Sequence, residues 1–321
     1  MSLTAVEICA GGGGQALGLD QAGFRHVALA EIDSDACITL RTNLCGTKII
    51  EDDIRNLDGR QFRGVDLVAG GVPCQPFSVG SKQLGHADER DLFPEALRII
   101  EEAQPRAVLL ENVMGLGQKK FAGYRWQVAE RLWKLGYAQS WWQGINACTF
   151  GVPQLRPRLV LVALRAPWCQ RFHWPYTIVP GATAGEALYD LMAENGWPWA
   201  HHWSLLCNKV APTIVGGSKK HGGPDLGPTR ARAAWRELHV NGGSIAELAP
   251  GPDEPADHLP RLTLRMVARL QGFPDDWWFS GTKTAAYRQI GNAFPPPVAR
   301  AFGREIKHAL EGDPGHAVQN P

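Results

Sequence analysis

The chain reads as an α/β protein: a doubly wound, mostly parallel sheet with a smaller, irregular second domain. Three observations predict this. Short apolar runs alternate with helical patterns through the first half, the signature of a parallel sheet covered on both faces. A glycine loop, Gly11-Gly12-Gly13-Gly14, follows the first apolar run and opens a helix, as in nucleotide-binding sheets. From about Ala166 the alternation stops and Pro, Gly and Trp become frequent.

In chain order, residues 5–9 read as a strand and 15–22 as the helix after the glycine loop. Residues 27–30 make a second strand and 34–43 a second helix. Residues 48–50, 65–69 and 107–110 are further strands, with helices at 94–103 and 124–135 and a late strand at 159–164. The spacing therefore predicts a first domain over 1–165. Residues 166–260 form the irregular one, rich in Trp197-Pro198-Trp199, Gly216-Gly217 and Pro250-Gly251-Pro252; its tryptophans read as a small core rather than a binding stripe. Helical periodicity resumes at 263–271, and a last helix, 298–310, begins after Pro295-Pro296-Pro297. Residues 261–310 are read as a segment returning to the first domain, and 311–321 as a flexible tail.

The 321 residues suit one large domain plus a smaller one. No apolar run is long enough to span a membrane, and no targeting segment is visible before the first strand. The seven cysteines form no Cys-x-x-Cys pair, which argues against zinc and disulfides and for a reducing compartment. Net charge is +1, so overall charge gives no support to a nucleic-acid partner. Two local basic series do: Lys209, Lys219, Lys220, Arg230, Arg232 and Arg236 face only Asp225 and Glu237, and Arg156, Arg158, Arg165 and Arg171 enclose no acid.

Pro73-Cys74-Gln75 stands directly behind the strand at 65–69. Strand carboxyl ends are where open α/β sheets do chemistry, and the proline fixes the backbone before the thiol. A lone cysteine is by default buried and inert, so its surroundings decide. Glu31 ends the second strand, 20 positions after Gly11, where a nucleotide-binding fold places an acid for ribose hydroxyls. Asp53 follows the third strand. Glu111-Asn112 follows the run 107–110, and Arg156 and Arg158 precede the late strand with the same side-chain parity. Cys74, Glu111 and Arg158 together suggest addition of a thiolate to an electron-poor ring, with the acid on a ring nitrogen and the guanidinium on a carbonyl oxygen.

On these residues the chain resembles the DNA (cytosine-5)-methyltransferases, and nearly the whole chain takes part. Cys9-Ala10-Gly11-Gly12-Gly13-Gly14 resembles the first motif of that family, Pro73-Cys74-Gln75 the nucleophile loop, and Leu92-Phe93 the motif after it. Glu111-Asn112-Val113 matches the acid motif, and Gln154, Arg156 and Arg158 the Gln-x-Arg-x-Arg motif. Residues 261–277 resemble the ninth motif, and Gln289-Ile290-Gly291-Asn292-Ala293 the tenth, which in the family completes the cofactor pocket.

The resemblance implies the Rossmann-like fold of S-adenosylmethionine-dependent methyltransferases. It implies that S-adenosylmethionine, leaving as S-adenosylhomocysteine, is held by Cys9, Gly11, Gly12, Gly14, Glu31, Ile32, Asp53, Ile54, Pro73, Leu92, Asn292 and Ala293, and that no metal is needed. Catalysis falls to Cys74, Glu111, Arg156 and Arg158. Duplex DNA would be met by Gln75, Ser78, Ser81 and Arg90, and by Lys219, Lys220, Arg230 and Arg232 in a target-recognition domain at 166–260. The segment 78–91 is expected to be a loop closing on DNA. A monomer in the cytoplasm, associated with the nucleoid of a prokaryote, is expected, with a restriction endonuclease as a separate partner. Two other readings stand beside this one: a tRNA cytosine-5 methyltransferase, and a catalytically silent DNA-binding relative. Cys9 stands where the family usually has an aromatic residue, and Met266 where it commonly has glutamate. The first departure predicts softer cofactor packing or another side chain filling the gap, the second a missing salt bridge.

Overall fold

The computed structural model describes residues 2–73, 91–176, 181–218 and 222–312. Seven strands form one sheet in the order β3-β2-β1-β4-β5-β7-β6. β1 (Leu3–Ile8), β2 (Phe24–Glu31), β3 (Ile49–Glu51), β4 (Leu67–Gly71) and β5 (Ala107–Val113) run parallel. β7 (Pro157–Leu164) is antiparallel to both β5 and the edge strand β6 (Gln139–Asn146). The expected doubly wound, mostly parallel sheet is what the chain forms.

Period-two alternation splits the strands between two cores. Val6, Ile8, Val68, Val108, Leu110 and Leu161 face one side, under α3 (Phe93–Ala103) and α4 (Ala122–Lys134). Ala5, Leu67, Ala69, Leu109, Val160 and Val162 face the other. That second side is covered by α1 (Gly14–Gln21) and the final long helix α10 (Pro296–Glu311). The crossovers place every β-to-α loop of the parallel strands along one edge of the sheet, where Cys9, Glu31, Asp53, Gly71 and Glu111 all come to lie.

Strand β6 was not legible as a strand. Its residues, Gln-Ser-Trp-Trp-Gln-Gly-Ile-Asn, carry no clean alternation because the edge position leaves both faces half exposed. β5 also runs further than expected, to Val113, so Glu111 and Asn112 sit within the strand rather than after it.

The described residues of the stretch 166–260 hold three short α-helices: α5 (Ala184–Ala193), α6 (Ala200–Leu206) and α7 (Thr229–Arg236). Helix α5 starts with a capping box between Thr183 and Glu186, a Thr-x-x-Glu signal open to sequence reading. Trp197, Trp203 and Trp235 are buried here, as a core rather than a stripe. That core continues into α8 (Leu264–Leu270) and α9 (Lys283–Asn292) through Met266, Val267, Tyr287 and Ile290. Among the described residues no helix is long and apolar enough to cross a membrane.

Candidate active site

The glycine loop divides into two kinds of glycine. Gly11 takes a left-handed backbone, φ +54°, and a side chain there would meet nothing within 4 Å. The next three are pressed by the protein itself. Gly12 faces Gln289 and Phe279, Gly13 faces Leu40 and Trp277, and Gly14 faces Ala293 and Phe294. The indole Nε1 of Trp277 donates to the Gly12 carbonyl oxygen at 3.1 Å. Gly11 therefore opens outward, while Gly12 and Gly14 let the C-terminal segment close over the loop.

Glu31 holds this loop in shape. One carboxylate oxygen accepts the Gly11 amide at 2.7 Å; the other accepts the amides of Ile32 and Asp33 at 2.9 and 2.8 Å. Burial pushes its carboxyl above the ordinary value, and the three amides oppose that shift. Three of its four lone-pair sites are thus taken, and the oxygen on the Gly11 amide keeps one. Ile32, next in sequence, exposes 63 % of its surface, so an apolar ligand face beside Glu31 would find a partner. Asp53 caps the short turn Ile54–Asn56, accepting the Arg55 amide at 2.9 Å and pairing with the Arg55 guanidinium at 2.8 Å. Ile54 is buried. Leu92, half-buried, caps the start of α3. This set fits a nucleoside: a bare backbone position, an anchored acid and an exposed aliphatic side chain stand at one sheet edge.

The second half of the site lies on β5 and β7. Val113 pairs with Arg158 across the antiparallel ladder, two residues beyond the pairing of Glu111 with Val160. Arg158 Nε lies 2.7 Å from Glu111 Oε1, an ion pair with both side chains about nine-tenths buried. Burial raises the Glu111 carboxyl above its usual range, with Arg158 and Arg156 pulling against it. Asn112 is fully buried; its amide donates to the Val72 carbonyl at 3.2 Å and so ties β5 to the chain entering Pro73.

Arg156 behaves differently from Arg158. It is completely buried, and its guanidinium donates to the carbonyls of Ile214, Gly291 and Ala293 at 3.0, 2.8 and 2.9 Å. Gln154 completes the cluster: its amide nitrogen donates to Leu270 O at 3.1 Å and to Gln271 Oε1 at 2.5 Å, and its oxygen accepts the Ile214 amide at 3.0 Å. Gln271 donates to Ala293 O at 2.8 Å. Arg156 bridges three distant pieces of chain, the start of β7, the segment at 211–217 and the end of α9, and Gln154 and Gln271 add a fourth, the end of α8. Arg158 alone reaches the acid. Gln271 and Trp277 were not singled out as site residues, because their partners are backbone groups that no local pattern announces.

A family model for C-5 cytosine-specific DNA methylase matches residues 3–308. The chain belongs to the C-5 cytosine-specific DNA methylase family. The enzyme is 52 % identical over 313 residues to the Type II methyltransferase M.NaeI of Lentzea aerocolonigenes, covering 96 % of this chain and 76 % of the relative. It is 50 % identical over 315 residues to the Type II methyltransferase M.NgoMIV of Neisseria gonorrhoeae, covering 97 % and 99 % of the two chains. Its fold matches that of the Entamoeba histolytica methyltransferase EhMeth with a TM-score of 0.67 at 14 % identity, covering 97 % and 99 %.

The remaining expected residues of the enzyme divide by position. Asn292 is exposed at the end of α9 and donates to Gly217 O at 3.2 Å, while Ala293 is buried against the hub. Arg230 and Arg232 are exposed on α7, and Arg232 Nε donates to Gly227 O at 2.8 Å. Cys74, Gln75, Ser78, Ser81, Arg90, Lys219 and Lys220, and nearly all of the expected closing loop at 78–91, lie outside the described residues.

The two departures from the family pattern have local accounts. Cys9 adopts φ +53°, and burial together with the Glu31 charge holds its thiol far above the usual range. A thiol held in that way is not a ready nucleophile. Met266 is fully buried, and its sulfur accepts the Thr263 amide at 3.4 Å while Thr263 Oγ1 accepts the Met266 amide at 3.3 Å. The thioether thus takes the acceptor place of a capping-box carboxylate at the start of α8.

Proposed function

We propose that the enzyme methylates C5 of a cytosine flipped out of duplex DNA, through covalent addition of Cys74 to C6. The observation that carries this reading is the buried Glu111–Arg158 pair beside the open Gly11–Glu31 site. Two half-sites on one sheet edge suit a reaction between two bound molecules.

The residues fit S-adenosylmethionine: Glu31 has acceptor capacity for ribose hydroxyls, Ile32 an exposed apolar surface for the adenine, and Gly11 an open backbone. When bound, that cofactor supplies an electrophilic methyl group and leaves as S-adenosylhomocysteine. The chain's own residues do the rest. Cys74 adds its thiolate to C6, forming a C–S bond and pushing electrons toward C5. Glu111, whose carboxyl burial raises above its usual range, bonds N3 and the exocyclic amine and stabilises the electron-rich ring. Arg158 orients Glu111 through the ion pair and turns its remaining donors to O2. Once C5 carries the methyl group, loss of the C5 proton and of the Cys74 sulfur restores the aromatic ring. Flipping the base costs a few kcal/mol of unstacking, roughly.

The segment at 166–260 would recognise the target, with Arg230, Arg232, Lys219 and Lys220 on phosphates. The enzyme would work as a cytoplasmic monomer, beside a separate restriction endonuclease. Incubation of the purified protein with labelled S-adenosylmethionine and either duplex DNA or tRNA tests the reading. It predicts 5-methylcytosine in DNA and none after Cys74→Ser. Label in tRNA alone, or full transfer by Cys74→Ser, would overturn it.

A further inference from the structure

Gly71 ends β4, and nothing among the described residues requires it to be glycine. Its φ is not in the left-handed region. Among the described residues, a Cβ built there would meet only Glu111 Oε2, at 3.5 Å, and the Cys9 carbonyl oxygen, at 3.8 Å. Both are ordinary van der Waals separations. Neighbouring Gly70 is the contrast: its Cβ would fall 2.5 Å from the Ile8 carbonyl oxygen, so close strand packing demands that glycine. Packing explains Gly70 and leaves Gly71 unexplained.

The two atoms bordering the empty position belong to the two halves of the site. Cys9 leads into the loop whose Gly11 amide Glu31 holds. Glu111 is the Cα partner of Gly71 across β4 and β5, and spends its other oxygen, Oε1, on Arg158. Oε2 accepts no hydrogen bond from the described residues, yet the side chain is about nine-tenths buried. A carboxyl oxygen that no described residue holds, bordering a missing side chain, is open to a ligand.

We propose that Gly71 keeps clear the space in which the methyl donor and the target cytosine meet. The proposal rests on the DNA-methylation reading. Transfer needs reacting atoms about 3–3.5 Å apart, and a methyl group on residue 71 would stand between the cofactor loop and Glu111. Gly71 acts by its lack of a side chain, as a positioning residue.

The test is Gly71→Ala in the full chain, with Gly71→Val as a larger step. Melting temperature, S-adenosylhomocysteine binding, DNA binding and steady-state transfer are measured together. The expected result is a melting temperature, KM for DNA and S-adenosylhomocysteine affinity close to the parent's. The kcat falls by about 100-fold, the scale on which an ångström of misplacement acts, and falls further with valine. Parent-like kcat in Gly71→Ala overturns the proposal. So does early melting, which would mean that packing needs the glycine, and so does loss of S-adenosylhomocysteine binding, which would assign the space to the cofactor alone. A parent protein that makes no 5-methylcytosine defeats the functional reading itself; an active parent with an equally active Gly71→Ala defeats only this inference.

Discussion

Gly216 and Gly291 touch backbone to backbone: a Cβ on Gly291 would fall 2.5 Å from the Gly216 Cα and 2.6 Å from its nitrogen. The contact joins the segment that follows Ile214 to the end of α9, beside the three carbonyls that Arg156 holds. Backbone cannot give way as a long side chain can. Gly291→Ala should therefore cost about 1–3 kcal/mol, the range for an overpacked core. A urea titration should show a lower midpoint with an unchanged slope, and an unchanged midpoint would deny the contact.

Arg156 should prove architectural. Arg156→Met leaves the carbonyls of Ile214 and Gly291 without their donor and Ala293 O with Gln271 alone, at about 1–3 kcal/mol for each buried acceptor left unpaired. A loss of several kcal/mol in denaturant is the expected outcome. Arg158→Met should be much milder in stability and far more severe in transfer rate. If the two variants were alike in both assays, the division of labour between the arginines would be wrong.

Glu111→Gln keeps the shape of the site but removes the transferable proton. Turnover should fall by about 10²–10⁴, the scale of a general acid, while the fold survives. Burial raises the Glu111 carboxyl, so its protonated form persists above the usual carboxylate range. Single-turnover transfer by the parent should decline as pH rises through that raised value. The glutamine variant should lack this limb, and a decline shared by both would point to another group.

Glu7 on β1 and His26 on β2 form a buried pair, Nε2 to Oε2 3.7 Å. Burial pushes the Glu7 carboxyl well above 4.5 and the His26 imidazole down from 6.5 to about 4. A raised folded value means that the Glu7 contribution is fully present below 4.5 and is lost as pH rises through the folded value. A lowered one means that the His26 contribution is present above 6.5 and is lost as pH falls toward 4. Thermal melts of Glu7→Gln should therefore gain on the parent as pH rises from 4.5. A difference that stays constant with pH would show that Glu7 does not change its proton affinity on folding.

Much of this was open to sequence reading, and what was missed has physical reasons. The central parallel strands β4 and β5 were legible because both faces are buried and their runs are continuously apolar through 67–69 and 107–110. Glu31 and Glu111 were legible because strand ends position acids by chain geometry alone. The edge strand β6 was hidden by its half-exposed pattern. The role of Arg156 was hidden because its partners are carbonyls 58, 135 and 137 positions away. Parity grouped it with Arg158, but only tertiary contacts could separate a tie between chain segments from an arginine paired with Glu111.

The hydrogen bond from Trp277 to Gly12 spans 265 positions. A loop and its roof so far apart in chain order meet only once the chain between them has folded. A partly folded molecule can therefore have its first strands and helices in place while the glycine loop is still unroofed.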